Sequence, residues 1–166
     1  MYILGISCFF HDSAAALTKS GEIIAASEEE RFTRIKHDNN FPFQSINFCL
    51  TKAGIKGEDL DYVIFYEKPL IKLDRILSTI KSNFPKSFNI YKDVLENWGT
   101  QKLWTRDFIR KYLGISKDKV LFYEHHFSHA ASSYYCSDFN ESDLLTIDGV
   151  GEWTTTSFGK TKNNKL

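Results

Sequence analysis

The sequence has no apolar run long enough to cross a membrane, since a spanning helix needs roughly 18 to 20 consecutive apolar residues. Its start, Met-Tyr-Ile-Leu-Gly-Ile, lacks the charged region and the small-residue cleavage site of a secretory signal peptide. Cysteine is scarce, and Cys8, Cys49 and Cys136 are odd in number without CxxC or zinc spacing. These absences predict a cytoplasmic protein with no membrane partner and no disulfide bonds.

The chain also lacks a net charge, because 21 Lys and Arg residues balance 21 Asp and Glu residues. No overall electrostatic field therefore attracts it to nucleic acid or to an anionic membrane. The chain does have 166 residues with 42% hydrophobic and 15% aromatic content, which suffices for about one domain with a buried core. This composition excludes disorder and collagen-like repetition.

A local basic excess lies at residues 70–111, where nine Lys and Arg residues outnumber four acids. One interpretation is the solvated face of helices whose opposite face packs in the core. The other is a docking surface for an anionic ligand or for another part of a larger enzyme. At helical spacing, the predicted core-facing stripe consists of Trp98, Leu103, Trp104, Phe108, Ile109 and Leu113.

Hydrophobic periodicity predicts alternating strands and helices. Three neighbouring strands are expected at 2–7, 13–19 and 22–27, with a tight turn at Ser20-Gly21. Residues 43–53 are expected to form a helix that ends at Gly54. The remaining expected elements are strands at 61–67, 119–124 and 143–148, helices in the basic stretch up to Gly114, and a helix at 125–135.

This β-β-β-α-β-α-β-α order predicts an α/β fold of the ribonuclease-H-like type, with a mixed five-stranded sheet and flanking helices. We assign residues 1–142 to this first subdomain. A shift of 141 positions aligns 3–7 with 144–148 and 13–19 with 154–160. Residues 143–166 are therefore expected to be the truncated start of a second copy, whose unpaired strands favour a homodimer.

Two such units form the fold of actin and the sugar kinases, in which the loop between the first two strands of each unit holds phosphates. The second of these loops is Asp148-Gly149-Val150-Gly151-Glu152. Gly149 and Gly151 let backbone N–H groups approach an anion, and Asp148 is suited to hold a cation that neutralises it. A β-turn without a ligand is the alternative interpretation of this glycine pattern.

A histidine cluster follows the strand expected at 119–124. His125 and His129 stand at positions i and i+4 of the predicted helix, so both imidazoles can reach one metal ion, whereas His126 projects elsewhere. Asp148 is expected beside them at the carboxyl edge of the sheet. Two imidazoles and one carboxylate suit a divalent transition metal such as Fe, Mn or Zn. Helix-capping histidines remain the alternative.

The first loop contains His11 and Asp12, directly after the first predicted strand. His11 is a candidate general base for a hydroxyl nucleophile, because an imidazole titrates close to neutral pH. An Asp at a strand turn is also typical of an Asx turn, so that alternative stays open for Asp12.

The stretch 28–37 mixes acidic and basic residues. Such a stretch is typical of a solvated connection between elements. Alternatively, Arg31, Arg34 and Lys36 reach a phosphate or carbamoyl group, for which an arginine offers a planar fork of donors.

Five motifs and their order along the chain are similar to those of one enzyme family. They are Gly5-Ile6-Ser7 with His11-Asp12-Ser13-Ala14-Ala15, Glu28-Glu29-Glu30-Arg31-Phe32-Thr33-Arg34, Tyr66-Glu67-Lys68-Pro69-Leu70, His125-His126-Phe127-Ser128-His129-Ala130 and Thr146-Ile147-Asp148-Gly149-Val150-Gly151-Glu152-Trp153. With these motifs the chain resembles the O-carbamoyltransferases of nodulation and antibiotic tailoring, over essentially its whole length. It corresponds to the N-terminal part of their actin-like domain.

This resemblance implies an activity. In that family the actin-like domain is related to the tRNA threonylcarbamoyl transferases, and a second domain makes carbamoyl-adenylate from carbamoyl phosphate and ATP. The actin-like domain then moves the carbamoyl group to a hydroxyl of a small-molecule acceptor. The resemblance implies that His125, His129 and Asp148 are metal ligands, that His11 is the catalytic histidine and that Lys36 lies near the carbamoyl-adenylate.

The length adds a further expectation, since family members are several times longer. The chain is expected to need the rest of the full-length enzyme, including one further metal-binding carboxylate beyond Leu166, and to be inactive alone. Two other functions stay open: a threonylcarbamoyl-type transfer to tRNA, and a non-catalytic module that binds ATP or a metal. The modest basic stretch disfavours tRNA, and histidines at positions 11 and 125 favour the enzyme.

Overall fold

The computed structural model describes residues 1–89, 94, 98, 102–149, 151–163, 165 and 166. The chain divides into two compact units. The first unit comprises Met1–Tyr66 and Asn97–Phe122, and the second comprises Glu67–Glu96 and Tyr123–Leu166. Part of the predicted basic helical stretch, at 90–93, 95–97 and 99–101, lies outside the described residues.

The first unit is built on a five-stranded mixed sheet with strand order β3-β2-β1-β4-β5. The strands β1 to β3 are antiparallel neighbours, whereas β1, β4 and β5 run parallel. This arrangement confirms the predicted mixed sheet, including the pairing of the first strand with the strand predicted at 61–67. The strands are β1 (Tyr2–Ser7), β2 (Ala14–Lys19), β3 (Glu22–Glu28), β4 (Tyr62–Phe65) and β5 (Val120–Phe122).

The alternation of buried and less buried residues along these strands explains why the sheet forms. Leu4 and Ile6 of β1 are buried, and so are Ala15 and Leu17 of β2, because successive side chains of a strand point to opposite faces. The turn at Ser20-Gly21 takes positive φ angles of 52° and 94° at its two residues, as a tight hairpin requires.

Helices flank this sheet, as the sequence predicted. In the first unit, α2 buries Ile46 and Cys49, and α4 buries Ile109 and Leu113. Both helices end at a glycine with a positive φ angle. The helices are α1 (Glu30–Thr33), α2 (Phe43–Ala53), α3 (Pro69–Ser82), α4 (Thr105–Leu113) and α5 (His125–Tyr134), and short 3-10 turns lie at Gly57–Asp59, Lys102–Trp104 and Lys117–Lys119.

The predicted core stripe of the basic region is only half buried. Ile109 and Leu113 are in the core and Trp98 is buried, but Leu103, Trp104 and Phe108 are 40%, 59% and 43% exposed. Leu103 and Trp104 are exposed because Lys102–Trp104 forms a 3-10 turn before α4 begins, so one helical periodicity does not run through the whole stretch. Phe108 lies within α4 but projects about 100° away from the buried Ile109.

The second unit contains α3, α5 and an antiparallel hairpin of β6 (Glu141–Ile147) and β7 (Thr156–Lys162). Leu145 lies opposite Phe158 in this hairpin. We expected the strand that precedes Asp148 at the edge of the main sheet. In the described part of the chain, β6 instead pairs with β7 in a separate two-stranded sheet.

A membrane span requires a long and strongly apolar helix. Within the described ranges, no helix is long and apolar enough to cross a bilayer.

Candidate metal centre

Three predicted ligands converge in the second unit. The ligand atoms of His125, His129 and Asp148 all lie within 4.8 Å of one another. The two histidine Nε2 atoms are 3.1 Å apart, and the His125 Nε2 atom is 2.8 Å from Asp148 Oδ2. His125 is only 9% exposed, whereas His129 lies at the surface. The site is therefore open on the His129 side.

Local structure places these three side chains. Helix α5 begins at His125, directly after the extended residue Glu124, so His125 and His129 lie one turn apart on the same helix face. Strand β6 ends at Ile147, so Asp148 is the first residue of the loop that follows. The Asp148 N–H donates to the Thr155 carbonyl oxygen at 2.8 Å, which closes that loop.

The chemistry of these donors fits a divalent transition metal. Burial lowers the pKa of His125 and the neighbouring His129 lowers it further, while Asp148 and Glu67 raise it. The dominant effects favour a neutral imidazole, which is the form that binds metal. Two imidazoles with one carboxylate suit Fe, Mn or Zn, and they would leave coordination positions for other groups.

A buried ion pair influences His125. Lys72 Nζ of α3 lies 2.6 Å from Glu67 Oε2, and the two side chains are only 4% and 2% exposed. Charges on both residues act on the pKa of His125 in opposite directions. In the sequence Lys72 belonged to the predicted solvated face of the basic stretch, but it is buried because Glu67 is its partner.

His126 does not join the convergent ligand group. Its ring is buried, and its Nδ1 atom lies 3.0 Å from Ser157 Oγ on β7. A Cβ atom on Gly151 would lie 2.9 Å from its Nε2 atom. His126 therefore holds α5 against the hairpin, which agrees with the prediction that it projects away from the metal ligands.

The two loop glycines occupy different surroundings. Gly149 is exposed, and a Cβ atom there would meet nothing within 4 Å. Gly151 is buried, and a Cβ atom there would lie 2.0 Å from the Thr154 carbonyl oxygen. Of these two positions, only 151 lacks the space for a side chain and therefore requires glycine. Val150, between them, lies outside the described residues.

Glu152 is a residue whose role sequence reasoning missed. Its side chain is buried, and its Oε1 atom accepts the Lys68 backbone N–H at 2.5 Å. Burial raises the pKa of Glu152, while backbone N–H groups of Lys68 and His125 lower it. Glu152 also lines a cavity of about 200 Å³, whose other lining residues are Ile71, Glu124, His125, His126, Trp153 and Thr154.

The candidate base and its neighbour lie in the first unit. His11 is exposed, and its ring centroid is 4.1 Å from that of Phe10. Asp12 Oδ1 lies 2.9 Å from His37 Nδ1, and both side chains are exposed. The sequence motif gave no signal for this pairing, since His37 lies 25 residues further along the chain.

The predicted anion-binding residues of the stretch 28–37 also lie in the first unit. Arg31 NH2 is 3.0 Å from Glu28 Oε2 and 3.6 Å from Glu30 Oε1, and its side chain is 66% exposed. Lys36 is exposed in the turn after α1. The structure therefore shows Arg31 in local ion pairs of the kind that a solvated connection forms.

Glu29 stands apart from its acidic neighbours, because it is 3% exposed. Its two carboxylate oxygens accept backbone N–H groups of Gln44 at 2.9 Å and Ser45 at 2.7 Å. The N-cap position of α2 is Pro42, which offers no side-chain cap. Glu29 therefore caps this helix from a distance in sequence.

Comparison with known proteins shows what kind of chain carries this fold and site. Residues 2–166 match the family described as "Carbamoyltransferase N-terminus". The chain is 47% identical to an uncharacterised protein of Synechocystis over 99% of its length. It is 36% identical to the nodulation protein NolNO of Sinorhizobium fredii over 89% of its length, and 33% identical to an uncharacterised protein of Methanocaldococcus jannaschii over 91%.

The chain therefore belongs to the carbamoyltransferase family, and it corresponds to the N-terminal domain of that family. This membership confirms the resemblance found in the sequence motifs. The chain spans 28%, 21% and 31% of the lengths of the Synechocystis, Sinorhizobium and Methanocaldococcus relatives.

Proposed function

We propose that the chain is the N-terminal part of an enzyme that transfers a carbamoyl group from carbamoyl-adenylate to a hydroxyl of a small-molecule acceptor. Carbamoyl-adenylate would be made from carbamoyl phosphate and ATP by the rest of the full-length enzyme. Family membership supports the transferase class. The observation that carries the proposal is the convergence of the His125, His129 and Asp148 ligand atoms.

His125, His129 and Asp148 would hold the metal ion. When bound, such an ion supplies a positive charge that polarises an oxygen of a carbamoyl or phosphoryl group. The chain's own contribution is to keep His125 neutral by burial and to fix it beside Asp148 at 2.8 Å. A further carboxylate beyond Leu166 would complete the coordination.

His11 would act as the general base. It would take the proton from the acceptor hydroxyl as the hydroxyl oxygen forms its bond to the carbamoyl carbon. The bond between that carbon and the adenylate oxygen then breaks, and AMP leaves with the electron pair. The exposure of His11 supports this role, because the acceptor must reach its ring.

The anionic leaving group needs hydrogen-bond donors. In the second unit, the backbone N–H groups at Gly149 and Gly151 would contact the phosphate. In the first unit, Arg31 and Lys36 would be cationic donors to an anionic group. For Arg31 this role requires release from Glu28 and Glu30, which costs little because the pairs are exposed.

We also propose that residues 1–142 form a ribonuclease-H-like subdomain and that 143–166 begin its second copy. The strand order β3-β2-β1-β4-β5 supports the first part. The β6–β7 hairpin supports the second part, since it falls where a shift of 141 residues places the β1–β2 hairpin.

Calorimetry with Fe²⁺, Mn²⁺ and Zn²⁺ tests the metal centre in the wild type, His129→Ala and His126→Ala. We expect weak binding in the wild type, no binding in His129→Ala, and a retained affinity but lower melting temperature in His126→Ala. Equal affinities in the three proteins would contradict the proposed metal site.

In the full-length enzyme, His129→Ala and His11→Ala should each abolish carbamoyl transfer. If the protein is instead a non-catalytic module, the wild type itself would show no carbamoyl transfer.

A further inference from the structure

We propose that Glu152 is a positioning residue, which fixes His125 against Asp148 in the candidate metal centre. The functional part of this inference rests on the proposed metal centre. The geometric part concerns only the positions of Glu152, His125 and Asp148 and needs no metal. It predicts that the distance between the His125 imidazole and the Asp148 carboxylate depends on a carboxylate that is not itself a member of the convergent ligand group.

The N-cap residue of α5 provides no side-chain cap for the first backbone donors of the helix. The first N–H groups of a helix have no acceptor inside the helix, and the N-cap residue Glu124 makes no side-chain capping hydrogen bond. Glu152 lines the same cavity as Glu124, His125 and His126 at the start of α5. In agreement with this placement, the backbone N–H of His125 lowers the pKa of the Glu152 carboxyl. A carboxylate at this place also interacts favourably with the positive end of the helix dipole.

The same carboxylate holds a second chain segment. Its Oε1 atom accepts the N–H of Lys68, the residue immediately before α3, at 2.5 Å. Glu152 is 8% exposed, so water competes little for these contacts and a charge-assisted hydrogen bond keeps much of its strength. One side chain thus connects the starts of α3 and α5.

Glu152 also lies in the loop that begins at Asp148. The Asp148 N–H donates to the Thr155 carbonyl oxygen, so Glu152 lies inside a closed loop that begins at Asp148. The close packing of Gly151 against the Thr154 carbonyl and the His126 ring leaves this loop little room to shift. Through its carboxylate, Glu152 therefore connects the loop that carries Asp148 to the start of the helix that carries His125.

An ion pair also connects the residues that precede α3 and α5, but it is more exposed than the Glu152 contact. Lys68 Nζ lies 2.8 Å from Glu124 Oε1, with the two side chains 34% and 62% exposed. An exposed pair of this kind contributes little to stability. The buried Glu152 is therefore the contact on which the geometry depends.

The test compares Glu152→Ala and Glu152→Gln with the wild-type chain. Thr161→Val serves as the matched control, because Thr161 is a buried residue of the same hairpin that bonds to Ser142 rather than to α5. The first readout needs no metal: ring ¹⁵N spectra of His125 and hydrogen exchange of the His125 and Lys68 amides. The second readout is Co²⁺ affinity, followed by its visible absorption.

We expect Glu152→Ala to shift the His125 ring resonances, to speed exchange at both amides and to weaken Co²⁺ binding about tenfold or more, as for other residues that orient metal ligands. Glu152→Gln keeps one acceptor oxygen, so it should lie between Glu152→Ala and the wild type. Thr161→Val should lower the melting temperature while the His125 resonances and Co²⁺ affinity stay unchanged.

Two results would overturn the inference: unchanged His125 resonances in Glu152→Ala, or an equal loss of Co²⁺ affinity in Thr161→Val. A wild type that binds no Co²⁺ would instead overturn the proposed metal centre. In that case the resonances and amide exchange of the Glu152 variants still decide whether Glu152 positions His125. If Glu152→Ala does not fold, Glu152→Gln supplies the same comparison.

Discussion

Three buried glutamates show how this domain compensates buried charge. Glu29, Glu67 and Glu152 are each at most 8% exposed, although each lies in a motif rich in charged or polar residues. A carboxylate stays ionised at such a place only when donors or a cation compensate for its lost hydration. In each case the structure supplies that partner: backbone N–H groups for Glu29 and Glu152, and Lys72 for Glu67.

Replacing one member of the buried ion pair should be costly. Lys72→Met should lower the free energy of unfolding by about 3 to 5 kcal/mol, because it leaves the Glu67 carboxylate buried without its cation. The double variant Glu67→Gln with Lys72→Met should recover much of that loss. Urea denaturation of the three proteins measures both effects. A Lys72→Met variant as stable as the wild type would contradict the prediction.

Asp38 should make stability depend on pH in the acid range. The backbone N–H of Asn40 lowers the pKa of this carboxyl below its usual value of 3.8. A lowered folded-state pKa stabilises the protein above the unfolded pKa, and that contribution is lost as the pH falls through the folded one. Asp38→Asn should therefore cost about 1 kcal/mol at pH 7, with a difference from wild type that narrows below about pH 4.

Unfolding curves between pH 3 and pH 7 measure this difference. Asp118→Asn is the control, because Asp118 is exposed in the 3-10 turn Lys117–Lys119. It should change stability little over the whole range. A gap between Asp38→Asn and the wild type that stays constant with pH would show that the carboxyl charge does not matter.

At the scale of elements, helices of both units begin with the help of a glutamate from elsewhere in the chain. Glu29 caps α2 through Gln44 and Ser45, and Glu152 interacts with the first residue of α5. The local N-cap residues of these helices, Pro42 and Glu124, provide no side-chain cap. The starts of the two helices are therefore fixed by tertiary contacts rather than by local sequence.

Removing the cap of α2 tests this idea in the first unit. Glu29→Ala should lower the free energy of unfolding by about 1 to 3 kcal/mol, because the partly buried Gln44 N–H and the buried Ser45 N–H lose their acceptor. Glu28→Ala is the matched control in the same acidic run, since Glu28 is exposed and its side chain pairs with Arg31 at the surface. Thermal unfolding and amide exchange at Gln44 and Ser45 measure the effect. Similar losses in both variants would argue against a capping role.

For the whole molecule, the hairpin of the second unit leaves a large apolar surface open. Leu145, Ile147 and Phe158 are 67%, 74% and 92% exposed. Leu145 and Phe158 are direct neighbours across the hairpin, so their exposed side chains form one patch. Exposed apolar surface of this kind favours association with another chain.

We therefore expect the chain to associate at high concentration through this patch. Phe158→Lys should shift sedimentation velocity profiles toward the monomer, because it introduces a charge into the apolar contact. Phe84→Lys is the control, since Phe84 is also exposed, at 67%, but lies outside the hairpin. A wild type that remains monomeric at high concentration would count against association, and an equal effect of both variants would place the contact elsewhere.

Local sequence patterns were enough to predict the strands and helices of the sheet domain and the family of the chain. Alternation along β1 and β2 and the helical spacing of Ile46, Leu50 and Ala53 record which face of each element is buried. The spacing of His125 and His129 likewise fixed their common helix face. These features depend on residues close in sequence, so periodicity reveals them.

The contacts between residues far apart in sequence follow from the tertiary structure. In the folded chain Asp12 pairs with His37, and Lys72 is buried against Glu67. Trp104, which belonged to the predicted core stripe, is exposed. The tertiary structure also turned Glu29 and Glu152 into acceptors for backbone donors. The sequence could not reveal these partners, because a carboxylate has the same local pattern whether solvent or a distant N–H group compensates its charge, and only the folded chain determines which of the two it meets.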